Sequence, residues 1–88
     1  MTRMSDAESV IMDVVWNAPP PVTPNDVMEK LPEGRKWQYK TVATFLLRLS
    51  EKGLLSCQKR GKFNEYTPKI TKEEYIKYEM KTVLDRWF

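Results

Sequence analysis

Lys40, Thr41, Thr44 and Arg48 are the residues of this 88-residue chain whose types and spacing could do chemistry. At roughly 100° per residue they fall on one side of a helix. Val42, Phe45, Leu46 and Leu49 recur at i, i+3, i+4 and i+7 and fall on the other side. Lys and Arg offer charge and N–H donors to phosphate oxygens and to guanine, while Thr offers a hydroxyl to a base edge and a methyl to thymine. Tyr39, one residue ahead, could touch a phosphate or a base. The pattern is suited to recognition of a polyanion by a helix of about residues 38–52, pinned by its apolar side. Gly53 follows the last turn, where a residue with φ > 0 ends a helix. Each residue also has a plainer reading: Thr41 and Thr44 as solvated surface, Arg48 as a partner for Glu51, Trp37 as core rather than a base-stacking group.

The charge distribution supports the first reading. The net charge of +3 hides a strong asymmetry: residues 1–34 carry a net −4, and residues 63–88 balance. Residues 35–62 carry Arg35, Lys36, Lys40, Arg48, Lys52, Lys59, Arg60 and Lys62 against the single acid Glu51, a net +7. A charge run is usually a solvated face, but one that includes the polar side of an amphipathic helix is the electrostatic footprint of a nucleic-acid binder.

Several other chemistries are disfavoured. The sequence has no histidine, so the usual general base and the commonest metal ligand are missing. Cys57 is the single cysteine, which rules out thiolate zinc sites and internal disulfides. Gly34, Gly53 and Gly61 sit at turns and make no phosphate-cradling loop. Glu73 and Glu74 are adjacent and point apart on a helix. No enzymatic activity, metal or cofactor is expected. No apolar run approaches the length of a membrane span, and the opening Met-Thr-Arg-Met-Ser-Asp lacks the apolar core of a signal peptide, so a cytoplasmic protein is expected. With 41% hydrophobic and 31% charged residues, the chain has the composition of one small globular domain.

The elements that position the polar row follow from start and stop signals. Ser5-Asp6-Ala7-Glu8 is a capping box, and Ala7, Val10, Ile11, Val14 and Val15 form the stripe of a first helix running to about Asn17. Pro19-Pro20-Pro21 stops it. Thr23 is an N-cap with Pro24 at the first helical position; Val27, Met28 and Leu31 give a short second helix ending before Pro32. Its N-terminus, with Thr23 and Asn25, could donate to a phosphate. After Gly53, Leu54–Lys59 reads as a strand with Cys57 as a small packing residue. Arg60-Gly61-Lys62 is a basic turn, and Phe63–Pro68 is the returning strand. Thr71-Lys72-Glu73-Glu74 opens a last helix whose stripe is Ile76, Met80, Val83, Leu84 and Trp87, and the chain closes on the aromatics Trp87 and Phe88.

The predicted fold is mainly α with a small β-hairpin: a winged helix-turn-helix of order α-α-α-β-β-α. Residues 1–70 form the DNA-binding unit, with Lys59, Arg60 and Lys62 of the wing, residues 58–63, gripping the DNA backbone. Residues 71–88 form a last amphipathic helix that folds onto the domain, packs on another chain or has lost its continuation.

Ser5-Asp6-Ala7-Glu8 and Trp16, with Lys40-Thr41-Val42, Thr44, Leu47-Arg48-Leu49 and Glu51-Lys52-Gly53-Leu54, resemble the BlaI/MecI family of bacterial repressors, relatives of the copper-responsive CopY repressors. Phe63 to Pro68 is similar to that family's F-x-Y-x-P return strand, and the resemblance covers about residues 4–80. It implies a repressor that binds a palindromic operator of double-stranded DNA as a homodimer. It also implies a sensor-triggered protease that releases the DNA by acting beyond residue 88, and residues 71–88 as the first helix of a truncated C-terminal dimerisation region. Gln38-Tyr39 stands where some members have Ser-Pro, and Ala43 stands where the best-known members carry Arg or Gln, which implies a different operator. Two other readings compete: a winged helix used for protein–protein contact, with Leu47 as its exposed apolar residue, and a winged-helix regulator under different control. An RNA binder is disfavoured because stacking aromatics are sparse.

Overall fold

Capping side chains set where the helices begin. In the structure, a computed structural model that describes residues 4–87, helix α1 spans Asp6–Asn17, α2 Pro24–Glu29 and α3 Tyr39–Glu51. Strands β1, Leu55–Arg60, and β2, Phe63–Pro68, form an antiparallel hairpin, and α4 spans Lys72–Trp87. Arg3 and Phe88 lie outside the described residues, and with them the expected aromatic end at Phe88. Ser5 and Glu8 cap α1 reciprocally: the Glu8 N–H donates to Ser5 Oγ at 3.2 Å and the Ser5 N–H to Glu8 Oε1 at 2.9 Å. Thr23 with Asp26 does the same for α2, and Thr71 with Glu74 for α4.

The core is built where the apolar stripes meet. Ile11, Met12 and Val15 of α1, Val27 of α2, and Val42, Leu46 and Leu49 of α3 are all buried. Burying a side chain of this size contributes roughly 1.5–3 kcal/mol, so α3 is held by one face. Phe45 is half-buried, with Trp37 stacked on it at 5.4 Å and Arg35 over Trp37 at 5.3 Å. The end of α3 is fixed by its cap. Gly53, at φ +84°, donates to Ser50 O and Leu54 N–H donates to Leu49 O, both at 3.0 Å. This is the Schellman pattern, with Leu49 and Leu54 both buried beneath it.

The hairpin leaves the core almost at once. Leu55 is the one buried residue of β1, and Cys57 is exposed rather than a packing residue, although it lies opposite buried Tyr66. Gly61, at φ +62°, and Lys62 make a two-residue turn with Arg60 paired to Phe63, the arrangement that puts glycine first in a type II′ turn. Arg60 is therefore in the strand rather than the turn. Two residues, not one, separate Phe63 from Tyr66, so Phe63 takes the opposite face and is exposed while Tyr66 is buried. The F-x-Y spacing is thus not reproduced. Val22 adds a rung that periodicity did not reveal: it exchanges backbone hydrogen bonds with Tyr66, at 2.9 and 2.8 Å, tying the segment before α2 to the wing.

Glu8 and Lys52 connect the first turn of α1 to the last turn of α3. Lys52 Nζ lies 2.6 Å from Glu8 Oε1, and Glu8 is 3% exposed. Its Oε2 is buried with no hydrogen-bond partner among the described residues. Burial alone would push the Glu8 carboxyl up. The Lys52 ammonium and the Ser5 N–H and hydroxyl outweigh it and hold the group below its ordinary value. The pair therefore stabilises the fold above the unfolded carboxyl value of about 4.3, and that contribution is lost as pH falls through the lower folded value. Glu8→Gln is expected to lower unfolding free energy at pH 7 by about 1–2 kcal/mol, the low end for a buried pair because Lys52 is partly solvated. Urea titrations at pH 7 and pH 3 check this: the gap between variant and wild type should narrow at pH 3.

Candidate nucleic-acid interface

With Val42, Leu46 and Leu49 facing inward, the opposite side of α3 is fixed outward, and two parallel rows run along it at i, i+4 and i+8. The first is Lys40–Thr44–Arg48, all exposed; the second is Tyr39–Ala43–Leu47, with Ala43 half-buried. Gln38, Thr41 and Phe45 flank the first row along one shallow depression. The second row forms one wall of a cleft of about 260 Å³ whose other wall is the wing, through Lys62 and Asn64, with Tyr66 and Pro24 closing it. Lys40 and Thr44 border both depressions, and no carboxylate lines either. The fold thus brings Tyr39, Lys40, Thr41, Thr44, Arg48 and Lys62 onto one continuous surface.

Local hydrogen bonds decide what these groups can still do. Thr44 Oγ1 donates to Lys40 O at 2.9 Å, so towards a base it offers oxygen lone pairs and its methyl. Gln38 gives α3 no side-chain cap, which leaves the first-turn N–H groups available to an anion. At α2 the opposite holds. Thr23 Oγ1 accepts from the Asp26 N–H and keeps its own O–H to donate, while the Asp26 carboxylate accepts from Thr23 N–H. Exposed Asn25 is the remaining polar side chain there.

The cations of the basic segment divide. Lys52 is paired with Glu8 at the far end of α3 and does not belong to the outward field. On the wing, directly opposite residues share a face: Lys59 is opposite Asn64, and Cys57 opposite Tyr66, on one side. Arg60 lies on the other side, 3.5 Å from Glu65. Lys59 and Lys62, rather than all three wing cations, accompany α3. Asn64 was not found by reasoning from the sequence; the signal available was strand alternation, which puts it on the face of Tyr66. The Asn64 side-chain N–H₂ reaches Tyr66 Oη at 3.5 Å. Burial pushes the Tyr66 phenol above its usual range despite that contact, so it stays neutral and can both donate and accept.

Ile76, Met80, Val83, Leu84 and Trp87 are all exposed along α4, whose one buried side chain is Tyr75. Tyr75 stacks on Trp16 at 6.1 Å, and Trp16 Nε1 donates to Ile70 O at 3.0 Å, so the first turn of α4 is docked on α1. No helix among the described residues is long and apolar enough to cross a membrane.

Comparison with known proteins gives a consistent result. The sequence matches the family described as penicillinase repressor over residues 4–88. A penicillinase repressor of Bacillus licheniformis is 36% identical over 86 residues, covering 98% of this chain and 66% of that protein. The methicillin resistance regulatory protein MecI of Staphylococcus aureus is 29% identical over 77 residues, 88% of this chain and 61% of that one. The chain thus spans less than two thirds of the length of these curated relatives. The solution structure of the DNA-binding domain of the repressor BlaI superposes with a TM-score of 0.69 at 38% identity, covering 83% of this chain and 88% of that one. The monomeric form of Bacillus licheniformis BlaI, solved in complex with the blaP half-operator, gives 0.64 at 38% identity, with 84% and 89% covered.

The division of charges has a measurable consequence on any duplex DNA. Lys62→Ala is expected to reduce the slope of log affinity against log salt by about one. The double variant Glu8→Gln, Lys52→Met, which removes an internally neutralised pair, is expected to keep the wild-type slope. Fluorescence anisotropy titrations across a salt series check both.

Proposed function

The chain belongs to the penicillinase repressor family, and from that premise we propose that it is the operator-binding part of a transcriptional repressor. In this reading α3 enters the major groove. Thr41 and Thr44 meet base edges, Lys40 and Arg48 bind phosphate or guanine, and Tyr39 touches the backbone at the groove entrance. Lys59 and Lys62 hold the flanking backbone, with Arg60 a weaker contributor while Glu65 engages it. Asn25 reaches a neighbouring phosphate. The observation that carries this reading is the continuous, carboxylate-free surface that α3 and the wing share. A protein–protein module would present an apolar patch there, whereas Leu47 is the one exposed aliphatic side chain of α3 beside its cations and hydroxyls. The repressor acts in the cytoplasm, where its operator is.

A single domain of this size offers few phosphate contacts. Two copies on a palindrome spaced by about one helical turn double them. We assign the pairing to the row Ile76, Met80, Val83, Leu84 and Trp87 of α4, supported by its spacing and its exposure among the described residues.

Thr44→Ala is expected to cost on the order of 1–3 kcal/mol on the preferred site and to relax one base position; site selection from a random duplex pool followed by competition titrations checks it. Equal weakening on all sequences would remove Thr44 from base reading. Met80→Glu with Leu84→Glu is expected to abolish self-association in sedimentation equilibrium and to lower operator affinity without altering the preferred half-site.

A further inference from the structure

Lys69, Ile70 and Thr71 are the residues between the wing and α4, and each is tied down. The Lys69 N–H donates to Leu54 O at 3.0 Å, and Leu54 is the residue whose own N–H closes the cap of α3. Ile70 O accepts from Trp16 Nε1 at 3.0 Å. Thr71 and Glu74 cap α4 reciprocally. Tyr75, buried in the first turn of α4, stacks on Trp16 with ring centroids 6.1 Å apart, and its Oη accepts from the Met4 N–H at 3.1 Å. Lys72 adds an ion pair to Asp13 at 3.3 Å, although an exposed pair of this kind contributes little. From Met80 onward the apolar side chains of α4 are exposed. The helix is therefore fixed at its root, both to α1 and to the end of α3, and solvated along its outer part.

Binding to one half-site needs none of these contacts. A fixed root matters for what α4 carries at its far end. Tyr75 and Trp87 lie about 18 Å apart along the helix axis, at about 1.5 Å per residue. A tilt of about 20° at the root would move the far end by about 6 Å, close to two base-pair steps of a duplex whose turn of about 10 base pairs spans about 34 Å. We propose that Trp16 and Tyr75 are positioning residues that fix which half-site spacing a paired repressor accepts. They set the direction in which α4 leaves the domain, and through the Lys69–Leu54 hydrogen bond that direction is referred to the end of α3. The partner is a second copy of this chain, so the proposal rests on the pairing reading above and deepens it. With a loose root each domain would reorient by itself, and several spacings would be bound alike. With the root held, the two α3 helices keep one distance and one helical phase, and a displaced half-site is met only with strain.

The experiment uses the half-site that the wild-type chain selects from a random pool, presented alone and as palindromes whose spacing is varied one base pair at a time. Wild type is expected to bind one spacing about tenfold more tightly than spacings about two base pairs longer or shorter. The double variant Trp16→Phe, Tyr75→Phe keeps both rings and removes both hydrogen bonds; it should flatten that preference to about threefold. Tyr75→Ala, which also removes the ring, should flatten it completely. Affinity for the single half-site should match wild type in both variants, a result that a purely structural role for these residues does not give. A wild-type spacing profile in both variants overturns the proposal and leaves pairing and duplex binding standing. So does a loss of half-site affinity equal to the loss on the preferred palindrome, which would assign Trp16 and Tyr75 to stability of the fold alone. If a second half-site adds nothing to wild-type binding at any spacing, the pairing reading falls and this proposal with it.

Discussion

The structure depends on which side of α3 is removed from water. Val42, Leu46 and Leu49 are fully buried against α1 and the root of the hairpin, and each contributes stabilisation on the order of kilocalories per mole. Rotating the helix by about half a turn would carry these side chains into solvent and drag Lys40 and Thr44 into the core. The desolvation cost of a buried lysine makes that alternative prohibitive. The polar face is therefore presented as a consequence of the apolar one. The Schellman cap at Gly53 and the Glu8–Lys52 pair then fix where the helix ends and how that end sits on α1.

Electrostatics acts on top of this packing and selects among the basic residues. Sequence counting assigns a net +7 to residues 35–62, but the fold pairs or redirects some of those cations. Lys52 is neutralised by a buried carboxylate and Arg60 faces Glu65 on the back of the wing, while Arg35 stacks on Trp37. Lys36 is exposed ahead of α3, and Lys40, Arg48, Lys59 and Lys62 shape the field over the surface that α3 and the wing share. An aligned, carboxylate-free surface of this kind attracts a polyanion at long range and orients it at short range.

The elements were legible in the sequence because their signals are local. Capping boxes at Ser5 and Thr71, the N-cap at Thr23, the heptad-like spacing in α3 and glycine at the turns act within a few residues, and each appears in the fold. What the sequence did not disclose depends on contacts distant in the chain. The partner of Lys52 is 44 residues away, and nothing in the periodicity of either helix marks Glu8 as more than a cap. The Val22 rung on Tyr66 is a single residue with no strand pattern. Cys57 was misjudged because alternation predicts a face but not whether anything lies behind it. Asn64 was passed over because its place beside the cleft depends on α3 lying opposite.

The two exposed surfaces, polar on α3 and the wing and apolar on α4, are served by one core, so they can be separated experimentally. The most direct test is residue-by-residue mapping of backbone amide shifts as duplex DNA is added to the chain. The account predicts that the largest changes cluster at Tyr39–Arg48 and Lys59–Asn64, with α1 and the docked first turn of α4 unmoved. Changes concentrated on α1 or α4, with Lys40, Thr44 and Lys62 silent, would contradict it.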